Sequence, residues 1–203
     1  MRKLLIAGLG LVLLGLARQA SPAPPDETAA PLKALKDENR QVRLRAVRDL
    51  GNLGTAGKSA VPALSAAMKN DIHPHVRIQA ALALAQIGPP AVPALIEALA
   101  DEEPWVRAQA AHALGTIGSP ARDAVPALTQ ALKDPQANVR SKAAFALGEI
   151  GPDAGAAAPE LAQALQDTES DVSAQAAIAL IKVGPAAVTP LERALSAENS
   201  RVR

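Results

Sequence analysis

Residues 89–118, PPAVPALIEALADEEPWVRAQAAHALGTIG, contain one complete copy of a pattern that recurs along the chain. Pro93 begins an apolar segment, and proline fits the first turn of a helix because that turn needs no amide donor. A short acidic turn at Asp101 follows, and then a second apolar segment runs from Val106 to Gly118. The stretch predicts a helix of about nine residues, a turn, a helix of about twelve residues and a glycine-terminated link.

Three columns of residues recur at intervals of 30 to 34 positions. A single hairpin cannot bury both of its faces, so the copies must stack to form a continuous core. The sequence therefore predicts an all-α fold, an α-solenoid of about five helical hairpins plus a partial sixth. The columns are the second-helix valine (Val42, Val76, Val106, Val139, Val172, Val202), the closing glycine (Gly54, Gly88, Gly118, Gly151, Gly184) and the first-helix proline (Pro62, Pro93, Pro126, Pro159).

The repeat domain is predicted over residues 28–203. Its units span about 28–56, 57–88, 89–119, 120–152, 153–184 and, as a partial repeat, 185–203. Ala186 to Ser196 are predicted to form a sixth first helix, and Val202-Arg203 would begin its partner helix. We therefore expect the array to continue beyond Arg203, which would make the present end an apolar surface; the alternative is that the last helix is itself the cap and the tail frays.

The first residues have a different composition. Arg2 and Lys3 precede an uncharged apolar run from Leu4 to Leu16, which predicts a signal peptide over 1–17 because the run is short for a membrane span. Cleavage after Ala17 is favoured over cleavage after Ala23, and an uncleaved anchor is the alternative. Residues 18–27 are predicted to form a flexible Pro/Ala-rich linker. We expect an exported protein, periplasmic or extracellular, membrane-tethered if the signal is retained and otherwise without a stable membrane span.

Composition narrows the possible functions. The chain has 21 basic and 20 acidic residues, no cysteine, no tyrosine, one tryptophan, one phenylalanine and three histidines. Disulfides, thiolate metal sites and cysteine nucleophiles are thereby excluded, and aromatic ligand platforms are poorly supplied. Arg40, Arg43, Arg45 and Arg48 form a basic cluster in the first repeat, but later repeats do not continue it, so we expect no nucleic-acid partner.

The spacing of the second helix predicts its buried face. With Val106 as position 1, Ala110, Ala113, Leu114 and Ile117 lie within a sector of about 100°. Small residues recur where neighbouring helices must approach, and enlarging any of them should overpack the stack. They are Ala46, Ala80, Ala110, Ala143 and Ala176, followed one turn later by Gly51, Gly115 and Gly148.

An aspartate precedes the second-helix arginine by six positions in four repeats, as in Asp101 and Arg107. The other pairs are Asp37 with Arg43, Asp71 with Arg77, and Asp134 with Arg140, whereas Asp167 precedes Ser173. These motifs resemble the short HEAT repeats, of about thirty residues, of bilin-lyase-like HEAT proteins. The resemblance implies a HEAT-like superhelix in which these residues tie turns and neighbouring repeats together. A carboxylate near a helix N-terminus bridged by an arginine fork is consistent with that role.

The sequence provides no catalytic residue, no cofactor-binding residue and no metal site. His73-Pro74-His75 has no third ligand on the same face, and Gly57-Lys58-Ser59 lacks the first glycine and the strand of a phosphate loop. Trp105 follows Pro104 at the start of a second helix and is predicted to pack over the turn. The resemblance does not transfer a lyase activity, so we expect a non-enzyme without cofactors. The alternative is a bilin-lyase-like or other cofactor-handling HEAT-repeat enzyme.

The candidate binding surface is a stripe formed by positions 4, 7 and 11 of the second helices, which line the concave wall of HEAT-like arrays. Position 7 supplies a candidate apolar strip for a protein or peptide partner. Wedging of these side chains between adjacent repeats is the alternative. The predicted partner-binding residues are Leu82, His112, Phe145 and Ile178 at position 7, and Gln79, Gln109, Lys142 and Gln175 at position 4.

Overall fold

The computed structural model describes the backbone of residues 27–201 and the side chains of residues 27–194. The predicted signal peptide, nearly all of the predicted linker, and Val202-Arg203 lie outside the described residues.

Within residues 27–201 the chain forms α-helices, 3₁₀ turns and no strand. The first helices are α1 (Ala29–Ala34), α3 (Val61–Asn70), α5 (Val92–Ala98), α7 (Val125–Ala131), α9 (Ala158–Ala164) and α11 (Val188–Arg201). The second helices are α2 (Arg40–Asn52), α4 (Pro74–Ile87), α6 (Pro104–Ile117), α8 (Ala137–Ile150) and α10 (Ser170–Val183). The prediction of an all-α solenoid is confirmed.

The links between hairpins begin at the predicted glycines. Gly88 has φ 77° and Gly118 has φ 73°, a left-handed region that a side chain would make costly. The link then forms a 3₁₀ turn, which the sequence pattern did not predict. These turns are Gly54–Ala60, Pro89–Ala91, Ser119–Ala124, Gly151–Ala157 and Gly184–Ala187. The links after α4 and α10 have four residues each and are shorter than the other three.

The predicted core sector is buried. Val106, Ala110, Ala113 and Leu114 are at most 3% exposed, and Ile117 packs against the core from its edge. Consecutive second helices pack directly on one another, whereas consecutive first helices touch little. This difference places the second helices on the inner, concave side of the curved stack.

Small residues set the distance between second helices. A Cβ atom on Gly115 would lie 2.9 Å from the Cα of Ala146, and one on Gly148 would lie 3.0 Å from the Cα of Ala179. The backbones therefore approach closer than any larger side chain permits. The equivalent position of α4 is Ala85, and the α4–α6 junction is the most loosely packed of the four junctions between second helices.

The sixth first helix differs from its prediction. It was predicted over Ala186 to Ser196, but α11 runs from Val188 to Arg201 without a turn. In the preceding repeats an aspartate five positions before the valine forms the turn, and the corresponding residue here is Ala197. In those turns the aspartate Oδ1 accepts the amide hydrogen two positions later, as Asp101 does from Glu103 at 3.1 Å. Alanine has no such acceptor, and the first helix continues.

One stretch of the described chain, Ser170–Ala194, is long and apolar enough to span a membrane by length and composition, with a mean hydropathy of 1.4. It comprises α10, the link at Gly184 and the beginning of α11. Gly184 has φ 78°, and Val172, Ala176, Leu180 and Val183 are buried in the array. The stretch is thus two helices separated by a link, and these four residues belong to the core of the array.

Replacing Gly115 with valine should lower the free energy of unfolding by about 2–3 kcal/mol, because the new side chain would overlap the Cα of Ala146 and the ring of Phe145. Urea unfolding followed by circular dichroism measures the loss. The control is Thr116→Val, which introduces the same side chain at the next, exposed position. Equal midpoints for the two variants would contradict the role of Gly115 in close packing.

Candidate functional site: the concave groove and the arginine ladder

A ladder of arginine–aspartate pairs joins the turns of neighbouring repeats along the array. Arg107 Nε donates to Asp134 Oδ2 at 2.7 Å, and Arg107 Nη2 donates to Asp134 Oδ1 at 2.9 Å, which links α6 to the next repeat. The remaining nitrogen, Nη1, donates to the carbonyl oxygens of Asp101 and Glu102 at 2.8 and 3.0 Å. One guanidinium therefore ties its own turn to the following turn.

The same geometry occurs twice more. Arg43 Nε lies 2.7 Å from Asp71 Oδ2, and Arg140 Nε lies 2.7 Å from Asp167 Oδ2. The acceptor carboxylate also shapes the next helix, because its Oδ1 accepts the amide hydrogen of the residue two positions later, as Asp134 does from Gln136 at 2.9 Å. That bond turns the chain into the second helix. The predicted structural role of the row is confirmed at these three junctions.

Electrostatics favours the ionised form of the three acceptors. Burial alone would raise the pKa of Asp71 and Asp134, but the arginine and amide hydrogen bonds and the arginine charge together hold the pKa of both below its usual range. For Asp167 the largest cause is the Arg140 hydrogen bond, which lowers its pKa. A depressed folded-state pKa contributes stability that is fully present above about pH 4 and is lost as the pH falls through the folded pKa.

The second junction departs from the predicted ladder. Arg77 was expected to pair like the other arginines, but its guanidinium lies over the ring of Trp105 at 4.9 Å, and its Nε is buried without a hydrogen-bond partner. Asp101 instead forms an ion pair with Lys69, whose Nζ lies 3.2 Å from Asp101 Oδ2. The expectation for Arg77 was therefore wrong, because Trp105 offers its ring face and Lys69 neutralises the carboxylate.

Two matched substitutions test this difference. Arg107→Met should cost about 3 kcal/mol, because it leaves the buried Asp134 carboxylate unpaired. Arg77→Met should cost about 1 kcal/mol, the scale of a cation–π contact, because no carboxylate loses a partner. The midpoints of urea unfolding provide the comparison. If both variants lost the same stability, the bidentate bond would add nothing to the packing of the arginine stem.

Along the concave side, the predicted stripe borders two cavities. The N-terminal cavity, of about 380 Å³, lies across α2, α4 and α6. The C-terminal cavity, of about 220 Å³, lies between α8 and α10. The first is lined by Arg48, Asn52, Gln79, Leu82, Ala83, Ala85, Gln86 and Thr116, and the second by Ala144, Phe145, Gly148, Glu149, Gln175, Ile178, Ala179 and Lys182. The N-terminal cavity lies mainly between α2 and α4, and Thr116 is the one residue of α6 that lines it.

The four residues at position 7 differ in how far they are exposed. Leu82 is 38% exposed and Ile178 is 45% exposed, each in its own cavity. His112 and Phe145 are half-buried, and their ring centroids lie 5.3 Å apart. Burial, with a smaller effect of the Lys142 charge, lowers the pKa of His112 and favours its neutral form. These two rings, which we call the ridge, lie on α6 and α8 between the helices that carry Leu82 and Ile178, and Phe145 also lines the C-terminal cavity.

The polar residues predicted for the stripe frame this groove. Gln79 and Gln175 line the N-terminal and C-terminal cavities respectively, whereas Gln109 and Lys142 lie on the helices that carry the ridge and line neither cavity. Periodicity therefore located the stripe, but it did not predict its division into two cavities. The sequence signals for the larger cavity were Ala85 in a glycine column and Trp105 beside the ladder.

The basic cluster of the first repeat is dispersed in the fold. Arg43 is buried in the ladder, and Arg45 pairs with Asp49 at 3.8 Å. Arg48 alone of the four lines the N-terminal cavity. His73 and His75 lie at the start of α4, and within the described part of the chain no three histidine, aspartate or glutamate side chains are grouped so as to hold a metal ion.

A second apolar surface, the end face, lies on α10 and α11. It borders a cavity of about 350 Å³ that includes Leu165, Ile181 and Val188, and Ile181 is 80% exposed. In α8 the corresponding glycine, Gly148, is covered by α10. The end face thus lies on the last helices that the structure describes, whereas the groove runs along the concave side of the array.

Comparison with known proteins agrees with this architecture. A family model described as HEAT repeats matches residues 28–102, 74–135, 92–180 and 125–203. The chain belongs to the HEAT-repeat family. No curated protein matches it. The HEAT-repeat chain is similar to solved structures that include the complex of CpcE and CpcF of phycocyanin lyase from Nostoc sp. PCC7120, with 26% identity and a TM-score of 0.60 over 81% of this chain and 68% of that chain.

Two engineered proteins also have similar folds. One is 25% identical, with a TM-score of 0.56 over 84% of this chain and 86% of that chain. The other has the same identity and TM-score over 84% of this chain and 52% of that chain. The resemblance to bilin-lyase-type HEAT repeats is thus confirmed for the family and the fold.

Proposed function

We propose that this HEAT-repeat protein is a non-enzymatic scaffold that binds a protein or peptide partner in its concave groove. The observation that carries the proposal is the pair of cavities at Leu82 and Ile178, each formed by an exposed aliphatic side chain surrounded by amides and charged groups. Apolar pockets with polar rims suit a polypeptide, which presents side chains and backbone amides together.

A site-specific photo-crosslinking experiment tests this function. A photoreactive amino acid at position 82 should crosslink a discrete polypeptide in the native host fraction, because position 82 lines the N-terminal cavity. The matched control carries the same amino acid at Gln130, which is exposed on α7 away from the groove. Crosslinks of the same species and yield at both positions would contradict a groove-specific partner.

A cofactor-handling enzyme is the second candidate, and the similarity to the phycocyanin lyase complex favours it. The described concave surface offers one imidazole, His112, whose ring packs on Phe145 with Nδ1 buried and unpartnered. That environment suits a neutral packing role better than proton transfer to a bound chromophore. Visible absorbance of protein purified from its host would support the enzyme and count against the scaffold.

We also infer that the scaffold acts after export. The charged Arg2-Lys3 pair followed by the apolar run from Leu4 to Leu16 supports a cleavable signal peptide. Mass spectrometry of the protein recovered from its host should find a chain that begins at Arg18. Removing Arg2 and Lys3 leaves 19 of the 21 basic residues against 20 acidic residues, a net charge of −1. Recovery of a chain that retains residues 1–17 in a soluble cytoplasmic fraction would contradict export.

A further inference from the structure

The charges in the groove are unbalanced, although the chain as a whole has nearly equal numbers of basic and acidic residues. Among the residues that line the two cavities, Glu149 is the one carboxylate, and it is paired with Lys182 at 2.5 Å. Among the described residues, Arg48 and Lys142 form no ion pair. Arg48 lines the N-terminal cavity, and Lys142 lies one helical turn before Phe145 on the ridge. The groove therefore has two cations that lack a carboxylate partner.

Most exposed carboxylates lie elsewhere. Glu38, Glu102, Glu103 and Glu169 are exposed in the turns that precede the second helices, at one edge of the array. The groove between that edge and the links contains amides instead, from Asn52, Gln79, Gln86 and Gln175. A side-chain amide both donates and accepts hydrogen bonds, so this row can pair with the backbone of an extended chain.

The spacing of the two cavities sets the length of the occupant. From α4, which carries Leu82, to α10, which carries Ile178, there are three steps between neighbouring second helices. Packed helices lie about 9 Å apart, so the steps span about 27 Å. An extended chain advances about 3.3 Å per residue and covers that distance in about eight residues. The ridge of His112 and Phe145 lies between the two cavities, so the middle of the occupant must pass over it.

We propose that the partner is an acidic extended peptide whose two apolar side chains, about eight residues apart, occupy the Leu82 and Ile178 cavities while its carboxylates pair with Arg48 and Lys142. This proposal rests on the proposed function and specifies its ligand chemistry. The carboxylates select the peptide and orient it, since ion pairs across a partly exposed surface contribute more to specificity than to affinity.

Fluorescence anisotropy with labelled synthetic peptides tests the proposal on the purified protein. The test peptide has leucines eight residues apart with glutamates and serines between them, and a further glutamate beyond the leucine that enters the N-terminal cavity, where α2 presents Arg48. One comparison peptide replaces the glutamates by lysines, and another places the leucines four residues apart. We expect the acidic, widely spaced peptide to bind about tenfold tighter than either, a difference that salt should reduce.

Charge reversal in the protein completes the test. Arg48→Glu/Lys142→Glu should weaken binding of the acidic peptide about tenfold and favour the lysine peptide, because both groove cations become carboxylates. The control is Arg122→Glu/Lys133→Glu, which reverses two exposed cations outside both cavities and should leave binding unchanged. Circular dichroism verifies that both double variants fold.

The outcomes separate this proposal from the scaffold function. Equal or tighter binding of the lysine peptide would overturn the acidic ligand and leave the scaffold in place. If no peptide binds while position 82 still crosslinks a polypeptide selectively, the ligand chemistry and spacing proposed here are wrong and the scaffold stands. If neither peptide binding nor selective crosslinking is observed, both proposals fail.

Discussion

The distance between consecutive second helices is the constraint on which the rest of this structure depends. It is short where a glycine faces an alanine, as Gly51 faces Ala83, Gly115 faces Ala146 and Gly148 faces Ala179, and there one backbone approaches the next within the reach of a single Cβ. First helices, which lack such close contact, spread apart on the outer side. Curvature, and with it a concave groove, follows from this difference in spacing.

The arginine ladder fixes the register between neighbouring helices, which close packing alone does not determine. Helices in contact through small side chains can slide along one another, whereas a guanidinium that bonds two carbonyls of its own turn and a carboxylate of the next has one geometry. At Arg77 stacking on Trp105 replaces the arginine–aspartate hydrogen bonds. In the same helix Ala85 replaces glycine and lines the N-terminal cavity.

The groove and the core place opposite demands on the same helices. Positions 1, 5, 8 and 9 of α4, α6, α8 and α10 are apolar and buried, as Val106, Ala110, Ala113 and Leu114 illustrate. Positions 4, 7 and 11 vary between repeats because they do not maintain the stack. Variation within a regular array is what lets neighbouring repeats form unlike cavities, one with an arginine and one with a glutamate–lysine pair.

The sequence alone determined the all-α solenoid, the hairpin repeat, the buried sector and the stripe, because each depends on periodic spacing within one helix and on residues that end helices. Tertiary structure decided which stripe residues are available. Leu82 and His112 share a column, yet one lies in a cavity and the other packs on Phe145 from the next repeat. Tertiary structure also decided that Arg77 stacks on Trp105 and does not join the ladder. Both outcomes depend on contacts between residues about thirty positions apart. The spacing of residues within one helix does not specify which side chain of the neighbouring repeat makes such a contact.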